Sequence, residues 1–293
     1  MKLRNNGLQT PDSRLQTFES MKLALNGATT MKASLAEDIR AATEARFDYL
    51  EIWAAKLREF LQSHTVAELK TLFDQSGILP YSINSIERAT FRKASETAAL
   101  RSECEELCRI AAELSCPYIV VVPGPLPSNA TEDDVIREST RALAELADIA
   151  EGYEVALAFE FLGQTSCSVQ TLELADEIVK RVHRPNVGLV LDSFHFYAGR
   201  SRIASIDALD PARLFIFHIN DAEDLPREML EDRHRLLPGL GILPLEEIAA
   251  ALKRIGYTGA ASVEIFRPEY WERDPVELAR EARSAARRAL GLQ

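Results

Sequence analysis

Four side chains that can bind a divalent metal end four hydrophobic runs in the second half of the chain. They are Glu160, Asp192, His218 and Glu264, and each closes a short, mostly apolar stretch. Such a stretch is typical of a β-strand that is buried on both faces, and its last residue is the one that emerges from the sheet. Carboxylates that lie close together raise one another's pKa unless a cation neutralises them. The pattern therefore predicts one divalent-metal site.

The types of these four ligands are compatible with several divalent metals. Three oxygen ligands and one imidazole suit Mn²⁺, Mg²⁺ or Co²⁺, and Zn²⁺ is compatible because it binds most such sites more tightly than Mn²⁺ does. We expect one ion, Mn²⁺ or Zn²⁺, with Mg²⁺ and Co²⁺ as alternatives. The competing interpretation is structural: Glu160 and Glu264 would pair with buried arginines, and His218 would be a hydrogen-bonded core histidine. Recurrence on four successive runs favours the metal.

Catalytic groups are expected beside this metal. His195 follows Asp192 by three residues, which predicts a position in a loop just beyond the strand, as a general acid or base or a ligand for a substrate hydroxyl. Glu160 and Glu264 are the other candidate catalytic groups. Glu51, in the second predicted strand, is equally compatible with barrel packing. Four further residues, at or beyond predicted strand ends, are candidates for binding the substrate: Arg235, Arg267, Asn26 and Asn84.

Strand-like runs alternate with amphipathic helical patterns from Met21 onward. The predicted strands are residues 22–26, 49–52, 78–83, 118–122, 155–160, 187–192, 214–219 and 260–265. The clearest helical patterns are residues 95–114, 133–151, 169–182, 245–255 and 275–290. Gly77, Gly152 and Gly256 stand where helices are expected to end. Eight strand–helix units predict an α/β fold, a single (β/α)8 TIM barrel, with functional groups at the C-terminal ends of its strands.

One barrel domain over residues 21–293 accounts for this alternation, because no linker or change of composition divides it. TIM barrels commonly use about 250 residues as a single domain. Residues 1–20 are polar and have no clear periodicity. We therefore expect them to be a poorly ordered N-terminal extension.

Composition narrows the classes of partner. The net charge of −11 argues against nucleic acid and anionic membrane surfaces, since both require basic patches. No segment resembles a signal peptide or approaches the ~18 apolar residues of a membrane span. The four cysteines lack CxxC spacing, which predicts reduced thiols. We expect a cytoplasmic enzyme acting on a small neutral or polar substrate, and the oligomeric state stays open, a homodimer included.

Several segments carry a resemblance to a known family. They include Gly188-Leu-Val-Leu-Asp-Ser-Phe-His-Phe196, Pro238-Gly-Leu-Gly241 and Ser262-Val-Glu-Ile-Phe-Arg-Pro-Glu-Tyr270. From about Met21 to its C-terminus, the chain resembles the xylose-isomerase-like TIM barrels, and within them the inosose isomerases of myo-inositol catabolism. The resemblance implies that the four candidate ligands bind the metal and that His195 lies against the substrate. It also implies a small polyol or keto-sugar substrate, and the implied reaction interconverts 2-keto-myo-inositol and 1-keto-D-chiro-inositol through an enediolate.

Three alternatives share parts of this pattern. A ketose 3-epimerase or hydroxypyruvate-type isomerase would use the same metal site and similar proton chemistry. An endonuclease-IV-like phosphodiesterase shares the Asp192-x-x-His195 spacing and the Asp232-Arg-His234 segment. However, Glu51 and Asn84 stand where that enzyme class needs histidines, and an acidic surface would repel DNA. A non-catalytic sugar-binding barrel is the third alternative, although the expected base and ligands are all present.

Overall fold

Eight parallel strands close into a barrel in the computed structural model, which describes residues 21–292. In chain order the strands are β1 (Lys22–Asn26), β2 (Tyr49–Trp53), β3 (Leu79–Ile86), β4 (Tyr118–Val121), β5 (Ala156–Glu160), β6 (Val187–Asp192), β7 (Leu214–Ile219), β8 (Asp221–Ala222), β9 (Arg235–Leu236) and β10 (Ala260–Val263). Strands β8 and β9 form a separate antiparallel hairpin, and β10 pairs with both β7 and β1 to close the barrel. The predicted (β/α)8 barrel is confirmed.

Helices surround the barrel. They are α1 (Leu35–Glu44), α2 (Ala54–Phe60), α3 (Val66–Ser76), α4 (Ala94–Leu114), α5 (Glu132–Glu151), α6 (Leu172–Val182), α7 (Ser193–Ala198), α8 (Ile203–Asp207), α9 (Leu245–Arg254) and α10 (Pro275–Ala289). The five predicted helical patterns correspond to α4, α5, α6, α9 and α10. Helix α6 starts three residues later than predicted, because the Thr171 hydroxyl accepts a hydrogen bond from the Leu174 amide and caps its first turn.

The strands are buried because helices cover the outside of the barrel and side chains fill its interior. All six residues of β6 are buried, which explains its nearly continuous apolar sequence. Gly77 ends α3 in the left-handed conformation, with φ of 73°, as its position after the helical pattern predicts. The four cysteines are buried free thiols. No disulfide joins them within the described chain, and their reduced state stays a prediction.

The last barrel strand ends earlier than predicted. The Thr29 hydroxyl, in the loop after β1, donates to the Val263 carbonyl at 2.8 Å and accepts from the Ile265 amide at 3.1 Å. The Thr29 side chain thus makes the hydrogen bonds that a neighbouring strand would make. Strand β10 therefore ends at Val263 rather than at residue 265. Glu264 consequently lies one residue beyond the strand.

The predicted extension, residues 1–20, lies outside the described residues, so its boundary with the barrel domain stays a prediction. Across residues 21–292, no helix combines the length and the apolar character that crossing a bilayer requires.

A buried lysine anchors the loop that follows β1. Lys56 in α2 donates to the backbone carbonyls of Gly27 and Thr30, at 2.9 and 2.8 Å, and to Asp38 Oδ2 at 2.7 Å. The Lys56 side chain is 5% exposed and that of Asp38 is fully buried. Because Lys56 is the described donor to the Gly27 carbonyl and to Asp38 Oδ2, its removal leaves both of these buried acceptors without a donor.

We expect Lys56→Met to lower the free energy of unfolding by about 3–5 kcal/mol, because breaking one side of a buried ion pair leaves an uncompensated charge. Equilibrium urea denaturation measures the change. The control is Lys32→Met, which removes an exposed ion pair to Glu272 and should cost less than about 1 kcal/mol. Equal losses in the two variants would contradict the anchoring role of Lys56.

Candidate metal centre

The four candidate ligands converge at the C-terminal mouth of the barrel. Glu160 ends β5, Asp192 ends β6, His218 lies near the end of β7, and Glu264 follows β10. One ligand atom from each residue lies within 4.8 Å of the others, and all four side chains are buried. In the register of the sheet, Asp192 is the direct neighbour of His218. The parallel arrangement of adjacent strands therefore brings together residues that the sequence separates by up to about a hundred positions.

His218 is the centre of this cluster. Its Nδ1 atom lies 2.9 Å from Glu160 Oε1, 3.3 Å from Glu264 Oε2 and 4.0 Å from Asp192 Oδ2. The opposite ring atom, Nε2, faces Glu51, whose two oxygens are each 3.1 Å away. Nδ1 is thus the imidazole nitrogen that faces the three carboxylates.

The cluster is short of positive charge. Burial raises the pKa of the Glu160 carboxyl to about 8, with Glu264 and Asp192 adding to the rise against the effect of His218. Burial alone would lower the pKa of His218, but Glu264, Glu51 and Glu160 outweigh it and hold that pKa well above its ordinary value. With raised pKa values, Glu160 and His218 hold protons at neutral pH. These protons supply the positive charge that a bound cation would supply instead. The residues therefore fit a divalent metal.

Arg235 supplies the one guanidinium that touches the cluster among the described ion pairs. It is fully buried, and its Nη1 donates to Asp192 Oδ2 at 2.7 Å and to Glu264 Oε2 at 2.9 Å. Asp232 Oδ1 accepts from the Nη2 of Arg235 at 3.0 Å, and Gln164 donates to the other Asp232 oxygen at 3.0 Å. Glu264 thus pairs with a buried arginine, as the structural interpretation predicts, and it also belongs to the cluster of candidate ligands.

The two asparagines and the second arginine occupy different positions. Asn26 and Asn84 each donate from Nδ2 to Glu264 Oε1, at 3.0 and 2.9 Å. Arg267 is partly exposed and forms ion pairs with Glu223 and Glu269 rather than with the candidate ligands. The asparagines therefore hold a carboxylate of the cluster, while Arg267 lies apart from it. A substrate contact by any of the three stays a prediction.

The sequence predicts a loop position for His195, and this prediction is wrong. His195 lies in α7, a helix of six residues whose first turn is capped by Asp192, since Asp192 Oδ1 accepts from the His195 amide at 2.7 Å. The side chain is 2% exposed rather than solvated. The helix is too short for its 3.6-residue periodicity to be recognised in the sequence.

The hydrogen bonds of His195 determine its tautomer. Arg235 Nη2 lies 3.0 Å from His195 Nε2, and because a guanidinium only donates, Nε2 must accept. The ring proton is therefore on Nδ1, which has no hydrogen-bond partner within residues 21–292. Burial also lowers the pKa of His195 and outweighs the raising effect of Asp192. His195 is thus a neutral imidazole with an unused Nδ1–H donor.

Asn220 is a further polar residue that contacts the cluster, and the hydrophobic runs of the sequence do not indicate it. Its Nδ2 donates to Asp192 Oδ2 at 2.9 Å, and its backbone amide donates to Ser193 Oγ at 3.0 Å. Asn220 follows His218 by two residues. In an extended strand that spacing puts two side chains on the same face, which is the signal that could have identified it.

The fold and the cluster match a known protein family. A family model described as "Xylose isomerase-like TIM barrel" matches residues 39–289. The chain belongs to this family. The match covers seven of the barrel strands and all four candidate ligands.

Individual members of the family align over most of the chain. The inosose isomerase of Halalkalibacterium halodurans is 38% identical over 265 residues, which is 90% of this chain and 94% of that protein. The inosose isomerase of Bacillus subtilis is 38% identical over 254 residues, 86% of this chain and 91% of that protein. With such relatives, the protein is an isomerase enzyme of this family.

A solved structure of the family is also closely similar. A 1.8 Å crystal structure of the IolI protein with a bound zinc atom superposes with a TM-score of 0.90. The two sequences are 37% identical, and the match covers 92% of this chain and 98% of that one. The family resemblance predicted from sequence is confirmed.

We expect His195 to be a neutral imidazole with its proton on Nδ1 at neutral pH and to become charged only below the ordinary titration range of histidine, because its pKa is lowered. Long-range ¹H–¹⁵N correlation spectra of ¹⁵N-histidine-labelled protein measure this, and His195→Asn identifies the signal. An Nε2–H tautomer, or an imidazolium at neutral pH, would contradict the contact with Arg235.

Proposed function

We propose that the protein is a metal-dependent inosose isomerase, which interconverts 2-keto-myo-inositol and 1-keto-D-chiro-inositol. The observation that carries the proposal is its similarity to curated inosose isomerases over nearly the whole chain. The buried cluster supports it, because moving a carbonyl along a polyol ring requires a base and a means of stabilising an oxyanion in one site. The substrate class is a small keto-polyol.

We assign one divalent ion, Zn²⁺ or Mn²⁺, to Glu160, Asp192, His218 and Glu264. Ligand atoms within 4.8 Å of one another suit a single ion, and the zinc atom in the IolI structure supports the assignment. When bound, such an ion polarises a substrate carbonyl and its neighbouring hydroxyl. Proton transfer and hydrogen bonding to the substrate are assigned to side chains of the protein.

Glu160 is the residue that we assign as the base. Its described hydrogen bond uses Oε1 alone, whereas Glu264 accepts from Arg235 and from two asparagine side chains. A carboxylate with several donors is a weak proton acceptor, whereas Glu160 has fewer donors and is the stronger acceptor of the two. Glu160 removes the proton from the carbon beside the carbonyl and returns it to the former carbonyl carbon, while the hydroxyl proton passes to the other oxygen.

His195 is assigned as a hydrogen-bond donor to a substrate oxygen. Its Nδ1–H has no partner in the described part of the chain, and its Nε2 is engaged by Arg235. The ring therefore cannot accept a second proton without breaking the arginine contact. A fixed neutral donor stabilises the negative oxygen of an enediolate better than it carries a proton between two oxygens.

The phosphodiesterase alternative receives less support. Asp232 is hydrogen-bonded to Arg235 and Gln164, and the backbone amide of Glu231 donates to Nδ1 of His234 at 3.0 Å. The two possible metal ligands of this segment, Asp232 and His234, are thus already hydrogen-bonded to other groups of the protein. Among residues 21–292, the acidic and imidazole groups form one cluster with metal-ligand geometry, whereas that enzyme class needs three metals.

We expect Zn²⁺- or Mn²⁺-loaded protein to convert 2-keto-myo-inositol into 1-keto-D-chiro-inositol in D₂O, and metal-stripped protein to be inactive. NMR spectroscopy follows both the product and the uptake of deuterium at carbon. A ketohexose is assayed in parallel under the same conditions. Metal-dependent epimerisation of the ketohexose without conversion of the inosose would reassign the enzyme as a ketose 3-epimerase.

Two substitutions separate metal binding from catalysis. We expect Glu160→Gln to lose both bound metal and activity, and His195→Asn to keep the metal while kcat falls by ~10²–10⁴, the range for a lost acid–base or polar catalytic group. Elemental analysis and steady-state kinetics measure the two properties. The control is His64→Asn, an exposed histidine between α2 and α3. Full metal content with ordinary turnover in Glu160→Gln would contradict the assigned site.

A further inference from the structure

Glu51 is a buried carboxylate that the proposed reaction does not use. It lies in the middle of β2, next to Asn26 of β1 and Ser82 of β3 in the sheet register, and none of its surface is exposed. Both of its oxygens lie 3.1 Å from Nε2 of His218, and Asn84 donates to its Oε1 at 3.1 Å. Glu51 therefore contacts the imidazole from the side opposite to the candidate metal ligands.

The two nitrogens of His218 have different requirements. Nδ1 faces the carboxylates of Glu160 and Glu264, so a metal held there needs the Nδ1 lone pair. A neutral imidazole has one N–H, and a free Nδ1 lone pair requires that proton to be on Nε2. The acceptor that meets Nε2 is the carboxylate of Glu51.

We propose that Glu51 is a positioning residue that accepts the Nε2–H of His218 and thereby keeps Nδ1 free and correctly oriented as a metal ligand. The proposal rests on the metal site described under the proposed function. Carboxylates that accept the second N–H of a metal-bound histidine fix its tautomer, restrict rotation of the ring and make the ligating nitrogen more basic.

A packing role explains Glu51 less well. Barrel interiors are filled mainly by branched apolar side chains, and a buried carboxylate costs several kcal/mol unless specific partners compensate it. Two described partners of Glu51 are components of the site: His218 is a candidate ligand, and Asn84 Nδ2 also donates to the candidate ligand Glu264. The carboxylate is thus connected to the ligands by two separate hydrogen bonds.

The test measures metal affinity rather than turnover. We expect Glu51→Gln to weaken Zn²⁺ binding by about 10–100-fold, the usual effect of removing such a partner, as measured by competition with a chromophoric chelator. Asp38→Asn is the matched control, because Asp38 is another buried carboxylate at this end of the barrel but bonds Lys56. That substitution should lower stability and leave Zn²⁺ affinity within about threefold of wild type, since Asp38 touches none of the candidate ligands.

A double-mutant cycle distinguishes action through His218 from a general effect. In a His218→Gln background, Glu51→Gln should change Zn²⁺ affinity by less than about threefold, because the group on which Glu51 acts is gone. The same 10–100-fold loss in both backgrounds would overturn the proposal. Unchanged affinity of the Glu51→Gln single variant would overturn it as well.

A spectroscopic measurement on the wild-type protein covers the case in which Glu51→Gln does not fold. Long-range ¹H–¹⁵N spectra of the Zn²⁺-loaded protein should show His218 as the Nε2–H tautomer with a metal-shifted Nδ1. The opposite tautomer would reject the role of Glu51 alone. Failure of wild-type protein to bind Zn²⁺ would instead reject the metal site and the proposed function together.

Discussion

Charge balance in a site that excludes water is the constraint on which the rest of this structure depends. Four buried carboxylates, those of Glu51, Glu160, Asp192 and Glu264, surround a single imidazole. In a medium of low dielectric constant, each charge needs a counter-charge or donors within hydrogen-bonding distance. Among the described contacts, Arg235 and the asparagine side chains provide part of this compensation. The remaining negative charge of the cluster is not compensated by these groups. A cation bound at its centre would compensate it.

Different elements of the barrel supply the negative and the positive charges of the site. Strand ends contribute the acidic groups, while the β8–β9 hairpin carries Arg235 across the mouth, since Arg235 begins β9 and pairs with Ala222 of β8. Arg235 then touches a carboxylate on one side and His195 on the other. Arg235 thus couples the charge of the carboxylate cluster to the protonation state of His195.

Much of the site was predictable because it lies at strand ends that the sequence displays as hydrophobic runs. Glu160, Asp192 and His218 could be found in this way because β5, β6 and β7 are buried on both faces. The helix around His195 could not, because six residues give too little periodicity. The burial of Arg235 and the Lys56–Asp38 pair arise from packing between distant segments, and no local pattern in the chain encodes them.

The hydroxyl of Thr29 links the beginning of the barrel to its end, since it holds Val263 and Ile265, 234 and 236 residues further along the chain. Glu264 lies between these two contacts. Contacts of such long range form late, because a large loop must close before they contribute any stability. The four candidate ligands come together only when β10 pairs with both β7 and β1. Any capacity of the cluster to bind an ion therefore depends on closure of the barrel between its first and last strands.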